Sequence, residues 1–244
     1  MPFLSAVGIL QLGSSLSPSI MTGGTCQRIG AVAPWRKKTL EKIPCCRYEP
    51  VACCLHGIDM CNIHPGSSVV VIGGGMIGLL MLQLARLAGA ARTALLEPVE
   101  AKREVAKKLG ADICIDPIHD DVKAVLASAG MTWVNTVIEC VGRTSTIEQA
   151  IDIVGNKGTV MMFGLTKPDD TISLKPFEVF KKEIELKASY INPYTQKRAL
   201  ELIDSGRLDV SSMVYAVESL ENLAEILSKP ELRVKGKYII SPEK

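Results

Sequence analysis

From Glu49 to Tyr190, short apolar runs alternate with stretches whose apolar residues recur at helical spacing. Six runs are continuous rather than alternating: Ser68–Ile72, Thr93–Leu96, Asp112–Ile115, Thr136–Cys140, Thr159–Phe163 and Glu185–Tyr190. Strands covered on both faces have this pattern. Between them, Met76–Leu87, Val99–Leu109, Val122–Ala129 and Thr146–Ile153 are expected as helices. Ahead of the first run, Pro50–Met60 places Val51, Cys54, Leu55 and Ile58 at i, i+3, i+4 and i+7. Strand and helix in alternation predict βαβ units with right-handed crossovers. The fold class is therefore α/β, a doubly wound six-stranded parallel sheet.

Beyond the sixth run the pattern predicts a helix over Gln196–Ser205, with Gly206 where a C-terminal cap belongs. A second helix, Leu220–Ser228, follows Ser219, a candidate N-cap. Gly236–Pro242 is expected as a terminal strand for which the six-stranded unit offers no partner. The first 46 residues have no periodicity and receive no job. Their apolar start, Met1–Leu12, lacks a basic n-region, since no Lys or Arg precedes Arg28. Trp35-Arg36-Lys37-Lys38 is expected as a solvated loop. The division expected is 1–48 unassigned, 49–192 a dinucleotide-binding Rossmann domain, and 193–244 C-terminal helices and a strand.

Composition changes this picture little. The 244 residues are 47% apolar, 22% charged and 5% aromatic, so the core is built from aliphatic side chains. A net charge of +2 gives no electrostatic footprint for nucleic acid or an anionic membrane. The longest apolar run, Val69–Leu82, is fourteen residues, short of the roughly 20 a membrane span needs. The eight cysteines (26, 45, 46, 53, 54, 61, 114 and 140) contain no C-x-x-C pair and are expected as reduced thiols of a cytoplasmic protein.

The candidate chemistry lies in the turns. Gly73-Gly74-Gly75-Met76-Ile77-Gly78 follows a buried strand and opens a helix. In that context Gly73 permits the turn, Gly75 lets a pyrophosphate approach the backbone, and Gly78 lets helix and strand pack closely. The helix N-terminus, with Met76 and Ile77 in its first turn, offers N–H groups to phosphate. Glu97 ends the next strand, where a carboxylate accepts from both ribose hydroxyls and repels a 2′-phosphate, which favours NAD over NADP. Arg92 and Arg103 temper that preference. Arg103 is expected to pair with Glu97 or to cover the adenine face. Two further strand ends, Cys140-Val141-Gly142 and Phe163-Gly164-Leu165, are expected to line the same crevice. His56, His64 and His119 have no partner at metal-ligand spacing and are expected as packed or surface residues. No serine-nucleophile elbow or P-loop occurs.

Together, Glu49-Pro50-Val51-Ala52-Cys53-Cys54-Leu55-His56-Gly57, the glycine motif, Leu95-Leu96-Glu97-Pro98, Lys108-Leu109-Gly110-Ala111-Asp112, Glu139-Cys140-Val141-Gly142 and Asn192-Pro193-Tyr194 carry a resemblance. From Glu49 onward the chain resembles the zinc-dependent medium-chain alcohol dehydrogenases, most closely their sorbitol/threonine dehydrogenase-like branch. The resemblance implies hydride transfer between a secondary alcohol or polyol and NAD, with zinc polarising the alkoxide, and subunits that pair as a homo-dimer or tetramer through the edge near Glu185–Tyr190. It also implies an N-terminal GroES-like domain with a zinc-binding Cys and a Gly-His-Glu segment. The 46 residues in that place carry neither motif and are too few to build the domain. By the resemblance Glu49 is the one metal-site carboxylate present, its partner ligands are missing, and the terminal strand belongs with the missing sheet. No residue is assigned to the chemical step. The expectation is a truncated or frame-shifted product. The alternatives are a non-catalytic dinucleotide-binding module and a zinc-independent reductase of the same superfamily.

Overall fold

The computed structural model describes residues 48–229, 232 and 237–240. The expectations for the first 47 residues, including the apolar start, the basic knot and Cys26, Cys45 and Cys46, lie outside the described residues, as do Gly236, Ser241 and Pro242. In order, the chain forms α1 (Tyr48–Asp59), β1 (Ser68–Ile72), α2 (Met76–Leu87), β2 (Arg92–Leu96), α3 (Glu100–Lys108), β3 (Ile113–Ile115), α4 (Val122–Ser128) and β4 (Thr136–Glu139). It continues with α5 (Thr144–Ile153), β5 (Thr159–Met162), α6 (Pro176–Lys182), β6 (Glu185–Ala188), α7 (Gln196–Asp204), β7 (Val214–Glu218), a 3-10 turn (Leu220–Asn222), α8 (Leu223–Ser228) and β8 (Lys237–Ile240).

The described residues divide into two compact units, one of Val51–Ala199 and one of residues 48–50 with those from Leu200 onward. In the first, six parallel strands are ordered β3-β2-β1-β4-β5-β6. The chain winds outward from β1 to β3, then returns to place β4 on the other side of β1. Between β1 and β4 the crossovers run in opposite directions, the switch point at whose carboxyl ends such sheets bind their ligands. β1 and β4 are buried along their whole length, as continuous apolar runs require. One face of the sheet packs Val70, Ile72, Ala94, Leu96, Val137 and Val160 into a single cluster with Ile115, Leu126 and Val134. The alternate residues Val71, Leu95, Ile138 and Met161 are fully buried as well. Shortening one of these aliphatic side chains to alanine costs about 2–5 kcal/mol.

Four of the strands carry a hydroxyl at their first or second residue. Ser68, Thr93, Thr136 and Thr159 are all buried. Register puts Val69, Thr93, Thr136, Thr159 and Glu185 in one row across the sheet. Each hydroxyl stitches the amino edge. Ser68 Oγ donates to Trp133 O at 2.5 Å, Thr93 Oγ1 to Asp112 Oδ2 at 2.9 Å, Thr136 Oγ1 to Cys61 O at 3.3 Å and Thr159 Oγ1 to Glu185 Oε2 at 3.3 Å. Elsewhere in this unit, buried Thr195 donates to Ala52 O at 2.7 Å, and exposed Arg198 pairs with Asp59.

Four features depart from the sequence reading. β6 is an edge strand with its first and last residues exposed, so it is not covered on both faces. Helix α6 has no buried residue, and its Phe177 and Phe180 face outward, so it presents no inward apolar stripe by which to be read. In the second unit, β7 was not expected at all. It pairs in parallel with β8, which gives the terminal strand its partner. Leu220–Ser228 is a 3-10 turn followed by α8, and the Ser219 side chain makes no capping bond. Gly206 does end α7 in the left-handed region, at φ +71°.

Candidate cofactor-binding site

Register sets Leu96, Ile72, Glu139, Met162 and Ala188 side by side, so the residues that follow them emerge along one edge. After β1 the chain turns at Gly73, whose φ of +102° strains any other residue, and whose N–H donates to Leu96 O at 2.8 Å. Gly75 is the N-cap of α2, in extended conformation and without a side-chain cap. A Cβ added there would meet nothing within 4 Å. The first N–H groups of a twelve-residue helix are thus presented to open space with their partial positive charge. Met76 and Ile77, half-buried, complete the first turn. Gly78 holds the helix down: a Cβ there would lie 1.8 Å from Gly73 O and 3.5 Å from Val71 Cγ1.

Glu97 leaves the end of β2 and turns its carboxylate into this loop. It is 5% exposed; Oε2 accepts from the Gly74 N–H at 2.7 Å and Oε1 from the Val99 N–H at 3.0 Å. The expected pairing of Arg103 with the Glu97 carboxylate is not what forms. Arg103 donates to the backbone oxygens of Glu97 and Pro98, each at 2.7 Å, and to Asp116 Oδ2 at 3.1 Å. The Ile118 N–H, with His119 and Arg103, holds the Asp116 carboxyl below its ordinary range. The cation paired with the Glu97 carboxylate among the described residues is instead Lys102, at 3.8 Å. Arg92 opens β2, five residues and a strand length from Glu97, and donates to Ala129 O. Both arginines are near Glu97 in sequence; strand direction carries Arg92 away from it, while Arg103 stays at its backbone oxygen.

The turns after β4 and β5 close the far side. Val141 is partly exposed and lies against the first turn: a Cβ on Gly73 would come 2.8 Å from Val141 Cγ2. Gly142 takes φ +77°, and a Cβ on it would stand 2.4 Å from Leu165 O. A Cβ on Gly164 would stand 2.2 Å from the Gly142 N. Phe163 packs beneath Gly57 of α1, and Leu165 is exposed. The three turns named from sequence therefore meet at one place. Ser189, next after β6, adds a buried hydroxyl that makes no hydrogen bond among the described residues. Sequence reasoning missed the Gly74 and Val99 amides, Lys102 and Ser189, because a backbone donor or a lone serine carries no spacing signal.

These residues suit a dinucleotide: exposed helix amides for a pyrophosphate, a buried carboxylate for ribose, and glycines where bulk would collide. They do not suit zinc in the same way. Glu49, half-buried, is the second residue of α1, but no group of three His, Cys, Asp or Glu side chains among the described residues is arranged to hold a metal ion. Burial pushes the Cys140 thiol well up and the Cys61 thiol to about 12, so both stay protonated, and Cys61 donates to Gly57 O at 3.1 Å.

The chain matches the family described as zinc-binding dehydrogenase over residues 76–205. It is 30% identical to D-arabinitol dehydrogenase 1 of Uromyces fabae over 198 residues, 80% of this chain and 57% of that protein. It is 29% identical to L-idonate 5-dehydrogenase of Vitis vinifera over 171 residues, 68% of this chain and 46% of that protein. Among solved structures, a protein of Sinorhizobium meliloti described as a zinc-binding dehydrogenase bound to NADP superposes with a TM-score of 0.76 at 35% identity, covering 80% of this chain and 58% of that one. The 2R,3R-butanediol dehydrogenase of Bacillus subtilis does so with 0.71 at 25%, covering 80% and 56%. The chain thus spans about half to three-fifths of the length of these relatives. The family's pattern covers more than half of the sequence, on a sheet wound as in these neighbours, and the chain belongs to the zinc-binding dehydrogenases.

Proposed function

We propose that residues 49–192 bind a nicotinamide dinucleotide along the carboxyl edge of the sheet, as the cofactor half of an alcohol or polyol dehydrogenase. Residues 193–244 would serve the catalytic half, and residues 1–48 are left without a role. The observation that carries this reading is the convergence of three turns on an uncapped helix N-terminus beside a buried carboxylate. The amides of the Gly75–Gly78 segment, including Met76 and Ile77, hold the pyrophosphate. Glu97 takes the adenosine ribose hydroxyls with the lone pairs left over from Gly74 and Val99. Val141, Gly142, Phe163, Gly164 and Leu165 flank the nicotinamide half, and Arg103 stiffens the loop that carries Glu97. When bound, the nicotinamide supplies the hydride acceptor for oxidation of a secondary alcohol. Relatives named for arabinitol, idonate and butanediol support a polyhydroxylated small-molecule substrate.

NAD is favoured over NADP, because a 2′-phosphate would be set against the buried Glu97 anion. Lys102, and the NADP carried by the Sinorhizobium meliloti neighbour, argue for the other choice. A fluorescence titration with NADH and with NADPH tests the reading. Saturable binding with NADH tighter is expected; binding of neither overturns it.

Zinc enters by kinship, with Glu49 as its one candidate carboxylate, and no step is derived through it. The lack of a metal cluster among the described residues favours a second reading, a dinucleotide-binding module without catalysis. NADH formation with a panel of polyols separates the two. We further propose a cytoplasmic location and a homo-dimer, or a tetramer built from it, formed along the exposed β6 edge, since an open edge strand invites pairing. Among the described residues no helix is long and apolar enough to cross a membrane. A monomeric mass at micromolar concentration would count against the dimer.

A further inference from the structure

Glu139, the last residue of β4, is a carboxylate with no exposed surface, lying between two strands of the sheet. Buried anions ordinarily sit against a cation or a metal. Among the described residues the donors to this one are all neutral: two amides of the turn that follows it and a hydroxyl from the first turn of α5. Oε1 accepts from the Val141 N–H at 2.8 Å, the Gly142 N–H at 2.9 Å and the Thr146 hydroxyl at 2.8 Å; Oε2 accepts from the Gly142 N–H at 3.2 Å. The backbone oxygen of Glu139 accepts from Phe163 N–H at 3.0 Å and Gly164 N–H at 2.9 Å. One residue therefore grips both turns on the nicotinamide side of the crevice, through its side chain on one and its carbonyl on the other. The fit leaves no slack, since a Cβ on Gly164 would lie 2.6 Å from Oε2.

We infer that Glu139 is a positioning residue for the nicotinamide half of the cofactor: its buried carboxylate fixes the Val141–Gly142 amides and the Gly142–Gly164 contact in the geometry that half requires. A carboxylate is suited to the task because its two oxygens, with about four lone-pair sites between them, can accept from all three donors at once. A neutral amide offers a single oxygen and turns an NH2 group toward the Gly142 N–H. The inference rests on the cofactor reading above, and deepens it by dividing the site. The glycine turn and Glu97 serve the adenosine diphosphate, and Glu139 serves the rest through the turns it holds.

The test compares ADP, which has no nicotinamide, with NADH on the full chain. In the wild type both bind, NADH more tightly. Glu139→Gln should leave ADP affinity within about 2-fold while weakening NADH about 10-fold, as loss of charge-assisted bonds predicts. Thr146→Val removes a single donor and should weaken NADH by about 3-fold, again sparing ADP. It decides the matter if Glu139→Gln does not fold. Bound NADH should also lose part of its emission shift in both variants. Equal weakening of ADP and NADH would make Glu139 a merely structural residue, and unchanged NADH affinity would dismiss it altogether; either overturns the inference. A wild type that binds neither ligand overturns the cofactor reading itself and this inference with it.

Discussion

Two alanine substitutions in the same loop should behave oppositely. At Gly75 the backbone is extended, φ −73° and ψ 178°, a conformation open to any residue, and a new Cβ meets nothing within 4 Å. Two small effects then compete. Alanine narrows the unfolded ensemble, worth about 0.4–1 kcal/mol, and it is a poorer N-cap than glycine by about as much. Gly75→Ala should therefore melt within about 2 °C of the wild type. The same methyl stands in front of the helix amides, and NADH affinity should fall at least about 10-fold. At Gly78 the new Cβ lies 1.8 Å from Gly73 O and 2.9 Å from Gly73 C. Both partners are backbone, so the helix must lift from the turn. Alanine's helix propensity returns about 1 kcal/mol, and overpacking removes up to about 3 kcal/mol or more. The net loss of about 2 kcal/mol lowers the midpoint by roughly 4–8 °C. Thermal unfolding beside an NADH titration measures both. If Gly75→Ala melts as low as Gly78→Ala, or binds NADH as the wild type does, the division of labour within the loop is wrong.

Three further outcomes are expected. Glu97→Gln leaves one of the Gly74 and Val99 amides without a good acceptor; it should cost about 1–3 kcal/mol in unfolding and narrow the NADH-to-NADPH preference, and an unchanged preference would refute the assignment. Burial raises the Asp112 pKa, but Thr93, through its N–H and hydroxyl, and Arg86 outweigh that effect and hold it below the ordinary value. The unfolded chain then binds the proton more readily, so this contribution is present above about pH 4 and is lost as pH falls through the folded value; melting between pH 5 and 3 should show that decline, shallower in Asp112→Asn. Arg198→Ala breaks an exposed pair with Asp59 and should change stability by less than about 1 kcal/mol in thermal unfolding.

How far the sequence could be read follows from how each residue is held. Buried parallel strands show themselves as runs, so Ser68–Ile72 emerges with the bounds the structure gives it. A glycine whose Cβ would strike a carbonyl leaves its mark at fixed spacing, and so Gly73, Gly75 and Gly78 are legible too. Helix α6 leaves no such mark because its Phe177 and Phe180 point outward, and β7 is hidden because its partner, β8, lies eighteen residues further on. Within the site, the turn residues Val141–Gly142 and Phe163–Leu165 follow from strand ends. Partners of charge do not: that Arg103 pairs with the Asp116 carboxylate and not with that of Glu97 depends on where β3 ends.

The row of hydroxyls at the amino edge gives the sheet two ends of different character. At one end Ser68, Thr93 and Thr136 join strand to neighbouring loop and Thr159 joins β5 to β6; at the other, Glu97 and Glu139 organise the turns that face the crevice. A protein engineer can treat the two as separate workbenches. Stabilising changes made around the hydroxyl row lie a full strand away from the crevice, so a hardier variant can be sought there without trading away affinity. Diversity meant to alter cofactor choice belongs at the acidic end.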